Sequence, residues 1–159
     1  MKKIFYMLLI GTFVLSACND AEHPVELLNC SAALPPSFKF DDLKLKAMAS
    51  LINKKSGTMS VLYANQLGLE NSIKGAKAHV AGEVLALITW KQKDDDHWFG
   101  AKIPGNLQLA ELVETVAAPT GLITIYQRYI GKNLLADTDT ARRQERIKYI
   151  IYQQPSVMP

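Results

Sequence analysis

The densest cluster of polar side chains in this sequence is the run DDDHW at residues 94–98. Carboxylates beside an imidazole can hold a transition metal, and neighbouring carboxylates repel one another enough to favour a bound cation. Consecutive side chains point in different directions, however, and the run lacks the spaced ligands and the glycine of an EF-hand loop. We therefore predict a solvated turn over 91–96 and no metal site.

Aromatic residues around this run could form the wall of a binding pocket. His97 would stand at its mouth between two tryptophans, whose rings would exclude water. The predicted ligand-binding residues are Tyr63, Trp90, His97, Trp98 and Phe99. His79, in the turn-like stretch GAKAHVAG, is a second candidate for ligand or acid–base chemistry.

Motifs of familiar catalytic sites are missing from the sequence. It contains no G-x-S-x-G nucleophile elbow, no HExxH pair, and no glycine-rich phosphate loop between a strand and a helix. We therefore predict no catalytic residue. A binding function is favoured over an enzymatic one, with catalysis left open.

The first half of the chain contains three segments with a clear period. Apolar residues at spacings of three and four predict a helix over 41–54, with Asp41 as its N-cap. Strict alternation predicts a half-buried strand over 58–64. Asn65 should then cap a short helical segment that ends near Gly75.

The second half begins with a run, 83–90, that is apolar on both sides, as in a central strand covered on both faces. Residues 98–103 predict another strand, stopped by Pro104-Gly105. The next apolar residues, from Leu109 to Val116, have helical spacing, whereas their neighbours suit a sheet, so both structures stay open.

The end of the chain combines a strand and a helix. Residues 121–130 alternate clearly and predict a strand, and 137–154 predict a helix capped by Thr138 or Asp139. Pro155 should end that helix. The order of elements predicts an α+β domain in which an antiparallel sheet is packed with a few helices.

The N-terminus has the organisation of an export signal. Two lysines precede an apolar run of twelve residues, Ile4 to Leu15, which is shorter than the roughly 20 residues that span a bilayer. The following Leu15-Ser16-Ala17-Cys18 resembles the bacterial lipoprotein signal. That resemblance implies a signal peptide over 1–17 and acylation of Cys18, for example with palmitate, as a membrane anchor.

The residues after Cys18 predict a tether over 18–37 and a single domain over 38–159. Asn19, rather than an aspartate, follows the cysteine, which by resemblance to Gram-negative sorting rules favours the outer membrane over the inner, facing the periplasm. Asp20 keeps the inner membrane open. Cys30 would be the one remaining thiol, so an intrachain disulfide is impossible and pairing between two chains is an alternative to a free thiol.

The mature chain is close to neutral. Loss of Lys2 and Lys3 with the signal leaves 16 basic side chains against 15 acidic ones. The four basic residues of the last helix include Arg142 and Arg146, but Glu145 lies among them, which suits a solvated face. We therefore predict no nucleic-acid partner.

Three stretches in order, TMSVLYAN, GEVLALITW and ITIYQRYIG, are similar to the cytochrome P460 family of bacterial periplasmic proteins, over roughly 51–131. The resemblance implies a mostly antiparallel sheet packed with helices, a largely apolar pocket and often a homodimer. Haem-bearing members attach c-type haem through Cys-x-x-Cys-His near the C-terminus. No cysteine follows Cys30 here, so the chain lacks that motif and thioether attachment is excluded.

These observations predict a lipid-anchored periplasmic protein whose haem-less cytochrome P460-like domain binds a small ligand or a protein. One alternative is a redox protein or enzyme that holds haem or a metal non-covalently, with His97 or His79 as ligand. Another is a structural or inhibitory envelope factor. No bound cofactor is predicted, and a homodimer remains open.

Overall fold

The computed structural model describes residues 29–74, 79–138 and 141–156. The predicted signal peptide and Cys18 lie outside these ranges. A 3-10 turn at Asp41–Leu43 precedes eight elements: strands β1 (Lys46–Asn53) and β2 (Thr58–Ala64), helix α1 (Gln66–Ile73), strands β3 (Val84–Asp94), β4 (Lys102–Ala118), β5 (Gly121–Ile130) and β6 (Leu135–Ala136), and helix α2 (Arg143–Ile151).

The strands form one six-stranded sheet in sequence order, β1-β2-β3-β4-β5-β6. Every neighbouring pair is antiparallel. The predicted α+β class, an antiparallel sheet with a few helices, is therefore confirmed. None of the helices in the described ranges is long and apolar enough to cross a membrane.

The regularly alternating segments were predicted correctly. Strands β2 and β5 begin and end at the predicted residues, and β3 contains most of the predicted central strand. Asn65 caps α1, because its side-chain oxygen accepts a hydrogen bond from the Gly68 backbone N–H at 2.9 Å. Helix α1 ends at Ile73, and Gly75 lies outside the described residues.

The helix predicted over 41–54 is wrong. Its first residues form the 3-10 turn, which ends at Lys44 in a left-handed conformation, and the rest forms β1. A register shift between Ala47 and Ala49 in the pairing with β2 lets two successive residues, Met48 and Ala49, both be buried. This β-bulge gave a strand the apolar spacing of a helix.

The hairpin around the acidic run differs from the prediction in both strands. Strand β3 continues to Asp94, so the turn spans 95–101 and the predicted strand over 98–103 is wrong for its first four residues. Strand β4 also runs straight through Pro104-Gly105 rather than stopping there. A Cβ at Gly105 would lie 2.8 Å from the Lys91 carbonyl oxygen, so glycine permits a close approach of two strand backbones.

The ambiguous segment after Gly105 is entirely strand. Thr89 pairs with Leu109 and Trp90 with Leu107, which leaves Gln108 as an extra residue. Because of this bulge, Leu107 and Ala110 pack in one cluster although they are three residues apart. The apparent helical spacing again reflects a break in strand alternation.

The last helix is shorter than predicted. It begins after Arg142, whose backbone is left-handed with φ 61° and whose side chain makes no capping hydrogen bond. Thr138 therefore is not the cap, and Asp139 lies outside the described residues. The predicted apolar stripe is confirmed where Ile147 and Ile150 are buried against the sheet.

One face of the sheet, here called the helix face, carries helix α2. Leu62, Leu85 and Leu87 project from adjacent strands on this face and pack in one cluster with Ile147 and Ile150. Helix α2 has only nine residues, so it covers part of a sheet whose central strands have 11 and 17. Leu69 of α1 packs against the same cluster, and the part of the helix face that neither helix covers is open.

The opposite face, here called the N-terminal face, is covered by the chain that precedes β1. Its cluster contains Ile88, Trp90, Leu107, Ala110 and Leu134. Ala32, Leu34, Phe38 and Phe40 pack against that cluster. Part of the predicted tether, from Ala32 onward, therefore belongs to the folded domain.

Candidate functional site

Two of the five predicted ligand-binding residues are part of the packed N-terminal face. The side chain of Trp90 is 6% exposed, and its Nε1–H donates a hydrogen bond to the Ala32 carbonyl at 2.8 Å. The ring of Tyr63 meets Phe40 edge to face, with centroids 4.8 Å apart. Burial raises the pKa of the Tyr63 hydroxyl.

The other three lie in the turn between β3 and β4. Trp98 is 72% exposed and Phe99 is fully exposed, while the His97 backbone N–H donates to the Asp95 carboxylate at 2.8 Å. The five residues are thus not brought together as one pocket wall. The N-terminal segment occupies the face on which Trp90 lies, and the turn extends beyond that face.

His79 belongs to a separate cluster with Glu83, close to the start of β3. Its Nδ1 lies 2.8 Å from Oε2 of Glu83, and Asn71 donates to the other oxygen of that carboxylate. Glu83 is 3% exposed. The cavity beside these residues has a volume of about 30 Å³, enough for roughly one water molecule.

A large concave site, with a volume of about 1080 Å³, is a groove on the open part of the helix face. Its floor includes Ser60, Leu87 and Thr89 from the two central strands of this region, and α2 with its preceding residues forms one wall. We call it the helix-face groove. It is lined by Leu51, Ile52, Asn53, Lys54, Ser56, Thr58, Ser60, Leu87, Thr89, Gln108, Leu109, Tyr126, Arg128, Ala141, Arg142, Arg146 and Tyr149.

The carboxylate of Glu111 on β4 is completely buried. It lies beside the groove, where α2 contacts the sheet. The Arg146 guanidinium donates to both of its oxygens, from Nε at 2.9 Å and from Nη2 at 2.5 Å. The Tyr126 hydroxyl, from the neighbouring strand β5, donates to Oε1 at 2.6 Å. These three hydrogen bonds compensate the carboxylate for its loss of water.

The same contacts shift the protonation equilibria of the two donors. The hydrogen bond to Glu111 is the largest cause that raises the pKa of Arg146, so the guanidinium stays charged. Burial, followed by the hydrogen bond to Glu111, raises the pKa of Tyr126 far above its usual range. The cluster is therefore a fixed ion pair with a neutral phenol across the neutral pH range.

Arginine and tyrosine side chains also contact one another around this cluster. The Arg146 guanidinium lies over the Tyr149 ring at 4.9 Å from the centroid, and Arg143 lies over Tyr126 at 5.9 Å. Such cation–π contacts restrict both partners. They hold Tyr126 and Tyr149 as aromatic walls of the groove.

The groove has an excess of positive charge. Of the described residues, its lining contains Lys54, Arg128, Arg142 and Arg146 but no aspartate or glutamate. Arg128 pairs with Asp137 at 2.8 Å, and Arg146 pairs with Glu111. Lys54 and Arg142 have no ion-pair partner within the described residues, so they are available to a bound anion.

The parts of the chain that the structure describes offer little support for a metal-binding site. There, no group of three or more His, Cys, Asp or Glu side chains is placed to hold a metal ion. The acidic run is dispersed, because Asp94 pairs with Lys102 and Asp95 bonds to the turn backbone.

The sequence signals for the helix-face groove were weak. Glu111 stands in the apolar stretch LQLAELVETV, and an isolated charge in a buried strand implies a partner without naming it. Arg146 belongs to a set of basic residues that suited a solvated helix face. Comparison with models of known protein families and with curated proteins finds no match for this chain.

Proposed function

We propose that this chain is a lipid-anchored periplasmic binding protein whose helix-face groove takes a small organic anion with an apolar body. One observation carries the proposal: among the described residues, the groove combines two cations without an ion-pair partner, Lys54 and Arg142, with leucine and tyrosine side chains and no carboxylate. Ligand sites are commonly concave, mainly apolar and provided with a few polar groups that fix orientation.

The lining defines the chemistry of the ligand. Leu51 and Leu109, which are partly exposed, provide apolar surface along the groove, and the buried Leu87 lies beneath its floor. Ser60 and Thr89 share a hydrogen bond at 2.8 Å between their hydroxyls, and both can turn toward a polar group. A carboxylate, sulfonate or phosphate would bind at the Arg142 end, where the planar guanidinium can donate two parallel hydrogen bonds.

The experiment is a calorimetric titration of the protein with dodecanoate, an anion with an apolar chain, and with the uncharged dodecanol. Dodecanoate should bind more tightly than dodecanol. The variant Arg142→Ala should weaken dodecanoate binding about fivefold, since an exposed charge pair contributes roughly 1 kcal/mol. High salt should weaken it similarly by screening.

The adjacent arginine is a matched control, because Arg143 is not among the groove-lining residues although its guanidinium lies over the Tyr126 ring. Arg143→Ala should leave dodecanoate binding within twofold of the wild type, a difference of roughly 0.4 kcal/mol. Equal losses in both variants, or no binding of dodecanoate at all, would refute the anion site.

We further propose that the antiparallel sheet is cytochrome P460-like but holds no covalent haem. The described groove lining offers haem iron no histidine, cysteine or methionine, and His79 and His97 lie elsewhere. The groove residues therefore do not fit axial ligation of haem by the predicted histidines. After addition of haem, the visible absorption spectrum should show no saturable Soret band. A saturable Soret band that is lost in His79→Ala or His97→Ala would contradict this part of the proposal.

The anchor is the second part of the proposed function. Cys18 would carry the acyl chains, on the side of the outer membrane that faces the periplasm. Cys18→Ser should release the protein into the soluble fraction, and continued membrane association would contradict the lipid anchor. The thiol of Cys30 is exposed, so a non-reducing gel would show whether it links two chains as a homodimer.

A further inference from the structure

The turn at residues 95–101 presents two large aromatic side chains to solvent. Trp98 and Phe99 are adjacent at its tip, and both are far more exposed than Trp90 in the core. The turn itself is held by backbone bonds from Asp95 N–H to the Ala101 carbonyl at 3.1 Å and from Ala101 N–H to the Trp98 carbonyl at 3.0 Å. Phe99 and Trp98 thus stand on a defined structure, here called the aromatic tip.

The N-terminal segment leaves the domain at the same end of the sheet. The side-chain amide of Asn29 donates a hydrogen bond to the Pro104 carbonyl at 2.6 Å. Pro104 lies near the start of β4, immediately after the turn, and pairs with Gln92 at the end of β3. The chain that leads back to Cys18 therefore begins beside the aromatic tip.

The length of that chain keeps the aromatic tip near any membrane to which Cys18 is anchored. If residues 18–29 behave as the predicted tether, their root-mean-square end-to-end distance is roughly 20 Å, about half of the roughly 40 Å that they would reach when fully extended. The opposite end of the sheet, at Glu83 and the C-terminus of α2, is separated from the tip by the 11 residues of β3, or roughly 35 Å. With a short tether, the tip end is the one that meets the membrane surface most often.

The charge of the tip suits a zwitterionic surface. Residues 91–102 contain three lysines and three aspartates, and Asp94 pairs with Lys102. Anionic lipid would attract a basic patch, whereas a neutral tip has no such attraction and relies on its rings. Tryptophan in particular favours the level of the lipid headgroups, where its apolar ring and its N–H group both find suitable surroundings.

From these observations we infer that Trp98 and Phe99 insert into the headgroup region of the membrane that holds the anchor, and so orient the domain. The inference rests on the lipid anchor of the proposed function. According to this inference, the binding partner of Trp98 and Phe99 is a zwitterionic lipid surface. The helix-face groove and its two unpaired cations would then face the aqueous space beside the membrane.

The test uses the full chain, acylated in cells, purified in detergent and reconstituted into vesicles of phosphatidylethanolamine and phosphatidylcholine. Half of the samples contain phosphatidylcholine with brominated acyl chains, which quench a tryptophan that enters the bilayer. Only two tryptophans are present, Trp90 in the core and Trp98 at the tip. Brominated lipid should remove the Trp98 component of the emission and spare that of Trp90.

Two variants show whether the quenching comes from residue 98. In Trp98→Phe, the remaining emission comes from Trp90 and should be insensitive to bromine. In Trp98→Phe combined with Tyr152→Trp, the new reporter stands at an equally exposed site near the opposite end of the sheet, and it should also remain unquenched. Quenching at residue 152 as strong as at Trp98 would overturn the orientation.

The anchor and the tip fail in different ways. An intact mass without acyl chains would refute the anchor, and the inference with it. An acylated protein that stays on the vesicles while Trp98 keeps its full emission would refute the inference alone and leave the anchor standing. If brominated lipid does not quench Trp98 but its emission changes on binding to a soluble protein, the tip would be assigned to a protein partner. That outcome would likewise refute the inference.

Discussion

The two faces of the sheet are covered in different ways. The closed face contributes to stability, whereas the partly open face also offers a groove for binding. The N-terminal face is closed by apolar and aromatic side chains of the preceding segment, including Phe38, which meets Tyr129 at 5.5 Å. The helix face is covered only in part, by α2 and by Leu69 of α1, and its closed part contains the Glu111–Arg146 ion pair. One face is therefore a conventional core, whereas the other combines a core with an open, positively charged groove.

The largest effect should come from the closed face. Trp90→Ala removes a nearly buried indole and its hydrogen bond to Ala32, so the free energy of unfolding should fall by about 4 kcal/mol. Denaturant unfolding followed by circular dichroism measures it. Trp98→Ala is the matched control, because it removes the same side chain from an exposed turn and should change stability by less than about 0.5 kcal/mol. Similar losses for the two tryptophans would contradict the assignment of the core to this face.

A smaller loss should follow from breaking the ion pair on the helix face. Glu111→Gln keeps the shape but leaves the Arg146 guanidinium without its counter-charge. Because that guanidinium is about one-third exposed, water compensates part of the loss, and we expect about 2 kcal/mol. The double variant Glu111→Leu with Arg146→Met should recover much of this stability, since two apolar residues leave no buried charge unpaired. If the double variant were less stable than either single change, the pair would be a net stabilising element.

The same contrast explains which features the sequence predicted. Where alternation was unbroken, as in β2 and β5, pattern alone placed both ends of the strand. Where bulges put Met48 beside Ala49, or Leu107 in phase with Ala110, the apolar spacing imitated a helix. Such irregularities depend on the pairing strand, so a local pattern cannot reveal them.

The site was harder to predict than the fold, because its residues meet only in three dimensions. Glu111 and Arg146 are 35 positions apart, and neither belongs to a recognisable motif. The predicted aromatic wall failed for a related reason. Trp90 and Trp98 are close in sequence, but a strand end separates a buried side chain from one in an exposed turn.

The two faces should also respond differently to alkaline pH. The pKa of Tyr126 is raised by burial and by its hydrogen bond to Glu111, whereas that of Tyr63, on the other face, is raised by burial alone. In the unfolded chain a tyrosine loses its proton near pH 10. Above that pH the unfolded state binds fewer protons than the folded state, so stability, complete below about pH 10, falls as the pH rises.

The smallest expected difference between the two faces is in the slope of the unfolding free energy against pH above about pH 10. Tyr126→Phe should cost about 1 kcal/mol at neutral pH through the lost hydrogen bond, and should flatten the alkaline slope more than Tyr63→Phe. Urea unfolding at pH 8 to 11 measures both. The phenol of Tyr126 faces a buried carboxylate, so ionising it in the folded protein would place a second negative charge beside Glu111. A slope that depends equally on both tyrosines would mean that burial alone governs their ionisation and that the carboxylate adds nothing measurable.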